Sequence, residues 1–373
     1  MTDLTPITAV TAADPYPYYA SLVAERPFGF DETLRAWVAA DAAAVRAVLT
    51  EPALRVRPPA EPVPAGIVGT AAGEVFGRLV RMTDGDPQRR LKQAVVTALG
   101  AVDADRAAAL AAERSAHLVK RQAPLRDQLF SVPAQVVAVL CGLDDPAADE
   151  AGVLIGDFVQ CIPATATPQQ QARAAMAAAA LRELLGPALS GRGSGLLADL
   201  VRAAGPDAEP AAVAANGLGL LSQTFDATAG LIGNTLVAYG RRPDLPRRDA
   251  AAVRAVVREV ARHDAPIQNT RRFVAEPVPV AGATLAPGDA VLVLLAAANR
   301  DPAANESPER FRTDRAEPAV FTFGAGPHAC PGRDLATAIA AAVVDTLLGG
   351  GFDPAGLDGV SYLTLANARI PAL

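Results

Sequence analysis

A cysteine set among glycines and prolines, in FTFGAGPHACPGRDLATA over residues 321–338, is the first place where this sequence could house chemistry. Cys330 is followed by Pro331 and Gly332, and a helical pattern begins at about Arg333. A thiolate just ahead of a helix start gains from the helix dipole and from amide N–H groups that lack helical partners, which lowers its pKa and moderates its charge. Gly324, Gly326 and Gly332 let the backbone approach a flat ligand closely or take positive φ angles. Cys141 and Cys161 have no such setting and read as buried core thiols, the usual fate of a free cysteine. The three cysteines are odd in number and widely spaced, with no CxxC pair and no Cys/His cluster. They support neither a disulfide framework nor a structural zinc site, and a reducing cytosol fits them.

Two further groups carry chemical potential. AAVAANGLGLLSQTFDATAGLIGNTLVAYG, residues 211–240, is apolar on nearly every face, which implies a helix buried on all sides. It nevertheless holds Gln223, Thr224, Asp226 and Thr228 within a turn and a half. Such groups either bond back to their own helix carbonyls or serve a function, because polar groups in a core need partners. The second group is Glu259 and Arg262 in EVAR, three apart and so on one helix face, an ion pair by spacing alone.

The elements that position these residues are mostly helical. Alanine-rich segments with helical spacing fall at 40–50, 88–99, 104–120, 132–142, 170–186, 211–240, 249–263 and 333–348. LRAWVAA (34–40) reads as a short strand. PVPVAGATLAPGDAVLVLLAA (277–297) reads as a hairpin and a buried strand, with a turn at Pro287-Gly288-Asp289. Residues 55–73 and 299–318 read as long irregular loops, which tend to be functional. No internal repeat or composition shift divides the chain, so the expectation is one domain over residues 1–373, mainly α with a small β portion. With 51% apolar and 20% charged residues and a net charge of −6, the composition is that of a soluble globular protein. The acidic excess argues against coating nucleic acid or an anionic membrane. The opening MTDLTPITAVTAADPYPYYASL lacks the basic start and apolar core of a signal peptide, and no apolar run reaches the roughly 18 residues of a membrane span. A cytoplasmic protein is expected. Abundant alanine and arginine with few lysines resembles a GC-rich bacterial coding bias.

The pattern Phe323-x-x-Gly326-x-x-x-Cys330-x-Gly332 resembles the haem-binding signature of the cytochrome P450 family. The resemblance implies the single-domain cytochrome P450 fold, with haem b (iron protoporphyrin IX) between the long central helix and the cysteine loop. It makes Cys330 the proximal thiolate ligand of the iron, a ligand that favours O–O cleavage in this family. Phe323 would pack beside the sulfur and His328 would reach a haem propionate. EVAR and PERF (308–311) resemble the family's buried Glu–Arg–Arg network, which assigns Glu259, Arg262 and Arg310 to it. Arg272 in RRFVAEPVPVAG matches the propionate-binding arginine. In MTDGDPQRRLKQAV, Gln88-x-x-x-Lys92 stands where the family has His-x-x-x-Arg, still a donor and a cation one turn apart. Gln88, Lys92, Arg272 and His328 together would hold two carboxylates. DPYPYYASL, AWVAADAAAVRAVL and ANARIPAL also resemble the family, so the match runs over essentially the whole chain, with residues 187–210 looking trimmed.

One departure matters. The family's central helix carries a pattern like Ala-Gly-x-Asp/Glu-Thr-Thr, whose acid and first threonine relay protons toward dioxygen. Aligned on LIGN (231–234), this sequence keeps the acid as Asp226 but has Ala227 in place of the alcohol and Thr224 in place of the glycine. Three routes remain open. Thr224 or Thr228 supplies the hydroxyl; a substrate hydroxyl, amide or ordered water completes the relay; or the substrate itself gives up electrons and protons in an oxidative coupling. The distal lining by position includes Pro58, Pro59, Ile67, Val68, Phe225, Ile267, Gln268, Asn269 and Leu363, mainly apolar with a few amides. The implied activity is oxidation of a small molecule, a secondary metabolite of peptide-like or polycyclic type. The reaction is hydroxylation or C–C, C–N or C–O coupling, with O2 and electrons from a ferredoxin and ferredoxin reductase docking near Cys330, where Arg333 would steer an acidic partner. The rival is a catalytically silent helper that keeps the fold without turnover. Ala227 favours the helper; intact Cys330, Glu259 and Arg262 oppose it.

Overall fold

The alanine-rich segments with helical spacing fold as helices, and the computed structural model describes residues 4–247 and 249–373. Their starts are set by short acceptor side chains. Asp41 accepts from the Ala44 amide at 2.8 Å and opens the helix Ala42–Thr50. Asp103 opens Ala104–Lys120 and Asp249 opens Ala250–His263 in the same way, while Thr167 and Gln170 form a capping box ahead of Pro168–Leu185. Sequence periodicity missed Tyr16–Glu25, Asp145–Phe158 and Leu196–Ala204. The last lies in the stretch that looked trimmed. Leu295–Asn299, read as the end of a strand, is a short helix whose five residues are all buried. An apolar run that short fits either element.

The chain divides into two compact units, each discontinuous in sequence. The first comprises residues up to 59, 230–330 and 348–373. It holds all the strands among the described residues: β1 (Phe28–Asp31), β2 (Ala36–Ala39), β3 (Leu54–Arg55), β4 (Thr270–Val274), β5 (Val278–Val280), β6 (Ala283–Leu285) and β7 (Ala290–Val293). Five of them form a sheet in the order β1-β2-β7-β4-β3, with β2 and β7 parallel and the other pairs antiparallel; β5 and β6 form a separate hairpin. Val291, Leu292 and Val293 of β7 are buried on both faces, which explains an unbroken apolar run in place of alternation. Val45, Val48 and Leu49 of the helix Ala42–Thr50 pack on this β portion with Val291, Val293 and Leu285.

The second unit, residues 60–229 and 331–347, is helical. Leu125–Leu140 packs against Ala104–Lys120 and Asp145–Phe158, Asp145–Phe158 against Pro168–Leu185, and Gly85–Gly100 against Leu196–Ala204. The central helix Pro210–Arg241 contributes to both units, its residues through Ala229 to the second and from Gly230 to the first. No helix among the described residues is long and apolar enough to cross a membrane.

Candidate functional site

The cysteine loop belongs to the first unit and is pinned at its start by side-chain amides. Asn299 donates to Thr322 Oγ1 at 2.8 Å and accepts from the Phe321 amide at 2.5 Å. Thr322 Oγ1 donates to the Ala261 carbonyl at 2.6 Å, tying the loop to the helix Ala250–His263. Asn305 bonds the Ala319 carbonyl at 2.9 Å and its amide at 3.0 Å. Beyond Phe323 the loop folds on itself, with the Cys330 amide donating to the Phe323 carbonyl at 2.7 Å and the Ala329 amide to the Gly326 carbonyl at 3.0 Å. Gly326 has φ +63, and a Cβ there would meet Thr50 Cγ2 at 3.0 Å and the Leu49 carbonyl at 3.1 Å. Both conformation and space require glycine at this position.

Three thiols are thereby separated by environment. Burial pushes Cys141 up to about 12 and Cys161 up to about 11, so neither forms a thiolate near neutrality. Cys330 is exposed and not in a disulfide. Gly332 differs from the other loop glycines. Its φ is not positive, and a Cβ there would meet no protein atom within 4 Å. The helix Arg333–Gly349 begins at the next residue. An accessible, soft sulfur donor on a loop held by these hydrogen bonds fits a thiolate-ligated haem.

The Glu–Arg network forms with a different membership. Arg262 is fully buried and grips Glu259 through Nε at 2.9 Å and Nη2 at 2.6 Å. Its Nη1 donates to the Asn299 and Pro308 carbonyls, so this guanidinium also holds the loops that lead to Cys330. The second arginine on Glu259 is Arg315, at 3.4 Å, which also donates to the Glu306, Ser307 and Arg310 carbonyls. The assignment of Arg310 is corrected: its side chain is 74% exposed beside Glu309, and only its backbone carbonyl takes part, accepting from Arg262. The run RFRTDR offers three arginines, and spacing alone does not select the inward one. At the end of the same helix, His263 Nε2 donates to the Glu309 carbonyl at 2.9 Å and Nδ1 accepts from Arg300. Burial, then Arg300, hold its pKa down to about 2, so it is neutral.

Elsewhere in the first unit, Arg272 lies in β4, is 5% exposed, and donates to the Arg271 carbonyl. His328 ends the short turn Gly326–His328 and is partly exposed. Gln268 and Asn269, expected to face a ligand, are corrected. Both are buried, with their amide nitrogens on the Ala265 and Ala366 carbonyls at 2.6 and 2.8 Å. Ile267 bridges to Ala368 and packs on the β core, and Leu363 pairs through its amide with the Ile370 carbonyl.

In the second unit, Gln88 and Lys92 lie one turn apart on the helix Gly85–Gly100, with Gln88 2% exposed. The polar stretch of the central helix divides into two kinds. Gln223 and Thr224 bond back to the Gly219 and Leu220 carbonyls at 3.1 and 2.8 Å, ordinary accommodation for a helix. Thr228 is 1% exposed and its hydroxyl has no hydrogen-bond partner among the described residues. Burial raises the pKa of Asp226 while the Arg81 guanidinium opposes the rise. Arg81 was not foreseen, since a lone arginine before MTDGDPQ carries no spacing signal. Ala227 is partly exposed. Phe225 stacks obliquely on Phe130 with centroids 5.0 Å apart, and Ile67 is a core residue at 1% exposure. Val68 is corrected from a lining residue to an exposed one, at 62%.

The chain is similar in sequence and fold to known proteins. A family model described as Cytochrome P450 matches residues 246–349, which span the Glu259–Arg262 helix through the Cys330 loop and the helix after it. The 6-deoxyerythronolide B hydroxylase of Saccharopolyspora erythraea is 32% identical over 213 residues, 55% of this chain and 52% of that protein. The matched stretch thus spans about half the length of that relative. The cytochrome P450 monooxygenase PikC of Streptomyces venezuelae is 29% identical over 367 residues, 90% of this chain and 84% of that protein. The crystal structure of CalO2 superposes with a TM-score of 0.86 at 23% identity, covering 100% of this chain and 98% of that one. Over most of its length the chain is thus similar in sequence to bacterial cytochrome P450s, and it has their fold.

Proposed function

We propose that the protein is a haem-thiolate oxidase acting on a small-molecule secondary metabolite, by hydroxylation or oxidative coupling with O2. A ferredoxin and its reductase supply the electrons. The observation that carries this reading is the separation of the thiols: one accessible sulfur on a pinned loop, two buried and protonated. Names of relatives support it, since both PikC and the hydroxylase are named as enzymes that insert oxygen.

The residues proposed to hold haem b are Cys330 through its sulfur, with Phe323 beside it, and Gln88, Lys92, Arg272 and His328 through the propionates. When bound, the haem supplies the oxidative chemistry; the chain supplies orientation and protons. The hydrogen bond from the Cys330 amide and the Asn299–Thr322–Ala261 chain fix the sulfur's backbone, with Gly326 providing the turn. Asp226 holds a proton more readily than an exposed carboxyl because burial disfavours its charge, and Arg81 keeps it able to release that proton. Thr228 offers a hydroxyl committed to no other group, while Thr224 has spent its proton on Leu220 and keeps its lone pairs. Of the two threonines, Thr228 is the stronger replacement for the alcohol missing at Ala227.

The test is spectroscopic. The reduced protein under carbon monoxide is expected to show the red-shifted Soret band of a thiolate ligand, and Cys330→Ser to lose it. A folded, haem-loaded wild type without that band sinks the enzyme reading. Hydroxylation and coupling are then separated by whether the product gains one oxygen atom.

A further inference from the structure

The sheet of the first unit ends at β1, whose outer side pairs with no strand among the described residues. The ladder shows which backbone groups are left over. The Ala40 amide donates to the Pro27 carbonyl at 2.8 Å, so Pro27 and Ala40 form a hydrogen-bonded pair where β1 meets β2. Such pairs alternate along an antiparallel ladder, which makes Gly29/Val38 and Asp31/Ala36 the next ones. The N–H and C=O of Phe28 and of Phe30 therefore point away from β2. None of these groups has a hydrogen-bond partner among the described residues.

An open edge is a template for another strand, and the side chains decide which strand fits. Phe28 and Phe30 share one face with Trp37, whose ring stacks on Phe28 at a centroid distance of 5.3 Å and meets Phe30 edge-on at 5.6 Å. Phe30 stays 40% exposed at the rim of this cluster. On the other face Gly29 offers no side chain, and a Cβ there would meet nothing within 4 Å. Arg26 precedes the strand and Glu32 follows it, both exposed and with no ion-pair partner among the described residues. This edge is complementary to itself. A two-fold axis through Gly29 sets Phe28 of one copy opposite Phe30 of the other, so that the outward N–H and C=O groups satisfy one another. The same register sets Arg26 opposite Glu32 at both ends and brings no like charges together. The aromatic row runs on across the axis, where cross-strand aromatic pairs add stability, and glycine keeps the closest approach free of side chains. We propose that two copies of this chain pair antiparallel through β1, Phe28 on Phe30 and Arg26 on Glu32, joining their sheets across a two-fold axis. The pairing is independent of the chemistry at Cys330.

The test is sedimentation velocity of the haem-loaded protein from about 1 to 200 µM, because a short strand pair buries less than a standard interface and predicts micromolar association. The average mass is expected to rise with concentration toward that of a dimer. Arg26→Glu and Glu32→Arg, each alone, are expected to weaken the dimer roughly tenfold or more, since symmetry sets like charges together at both ends. The double variant Arg26→Glu/Glu32→Arg is expected to regain wild-type association, which a folding defect in a single variant cannot imitate. Hydrogen exchange in the wild type locates the contact without any substitution. The Phe28 and Phe30 amides should exchange more slowly at the high concentration, in proportion to the dimer present, while the Gly29 amide, already bonded to β2, changes little. A chain that stays monomeric throughout overturns the proposal. So do single variants that associate as wild type, a double variant no better than the singles, or Phe28 and Phe30 amides whose exchange ignores concentration.

Discussion

Asp226 is a carboxyl pulled two ways, upward in pKa by burial and downward by Arg81, with burial the larger effect. Because its folded pKa is raised, the folded state binds a proton more readily than the unfolded chain does. The contribution of this group to stability is therefore most favourable below the unfolded carboxylate value of about 3.9, and is lost as pH rises through the folded value. At neutral pH the charged residue costs stability. Asp226→Asn should accordingly melt at a higher temperature than wild type at pH 7, with the gap closing as the pH is lowered toward 4. Turnover with supplied electrons should fall, by roughly a hundredfold if Asp226 moves a proton in the slow step. A lower melting temperature at pH 7 would mean that the attraction of Arg81 outweighs burial.

At the scale of elements, the network beneath the cysteine loop makes a discriminating prediction. Arg315→Ala should cost about 3 kcal/mol in chemical denaturation, because it leaves Glu259 buried with half its compensation. Arg310→Ala should stay within about 0.5 kcal/mol, as for an exposed side chain. Equal effects would contradict the geometry. Gly326→Ala should destabilise by about 1–2 kcal/mol from backbone handedness alone, with crowding on Thr50 and Leu49 adding to it. Reduced haem retention on gel filtration would accompany the loss. This part of the molecule was the most legible in the sequence. The helix Ala250–His263, the turn at Gly288 and the helix after Cys330 each have local signals, namely a cap, a glycine and a periodicity. The choice of Arg315 over Arg310 was not legible. It depends on which way an irregular loop turns, and loops carry no period. The same limit hid Arg81, while Gln268 and Asn269 misled because an amide looks alike whether it meets a ligand or a backbone carbonyl.

At the scale of the whole molecule, residues far apart in sequence close the first unit through one buried cation. Arg369 reaches Asp264 at 2.9 Å and donates to the carbonyls of Val10, Ala12 and Ala13, while its guanidinium lies 3.5 Å from the centroid of the Tyr362 ring. Tyr16 donates to the same Asp264 oxygen at 2.8 Å. Arg369→Leu should cost about 3–5 kcal/mol, since Asp264 loses its cation, keeping only the Tyr16 hydroxyl on that oxygen, and three carbonyls lose their donor. Proteolysis near residues 10–13 should increase in step, and a variant that melts like wild type would refute the assignment. Nothing in NARIPAL announces this role, because the partners of Arg369 are known only once the chain has folded.

The same long reach constrains how the protein comes into being. Residues 4–59 leave the ribosome before the segments they pack against, yet the cation that secures residues 10–13 is made more than 350 positions later. The second unit takes nearly all its residues from one continuous stretch, 60–229, with a single later helical segment. It can gather its helices while synthesis continues, as contiguous segments do. The early strands must wait: β2 pairs with β7, and β3 with β4, both encoded after residue 269. Until then the first sixty residues travel with unpaired strand edges and exposed valines. This protein's hazard in a cell is thus one of timing, greatest for nascent chains paused between the two halves of its sheet.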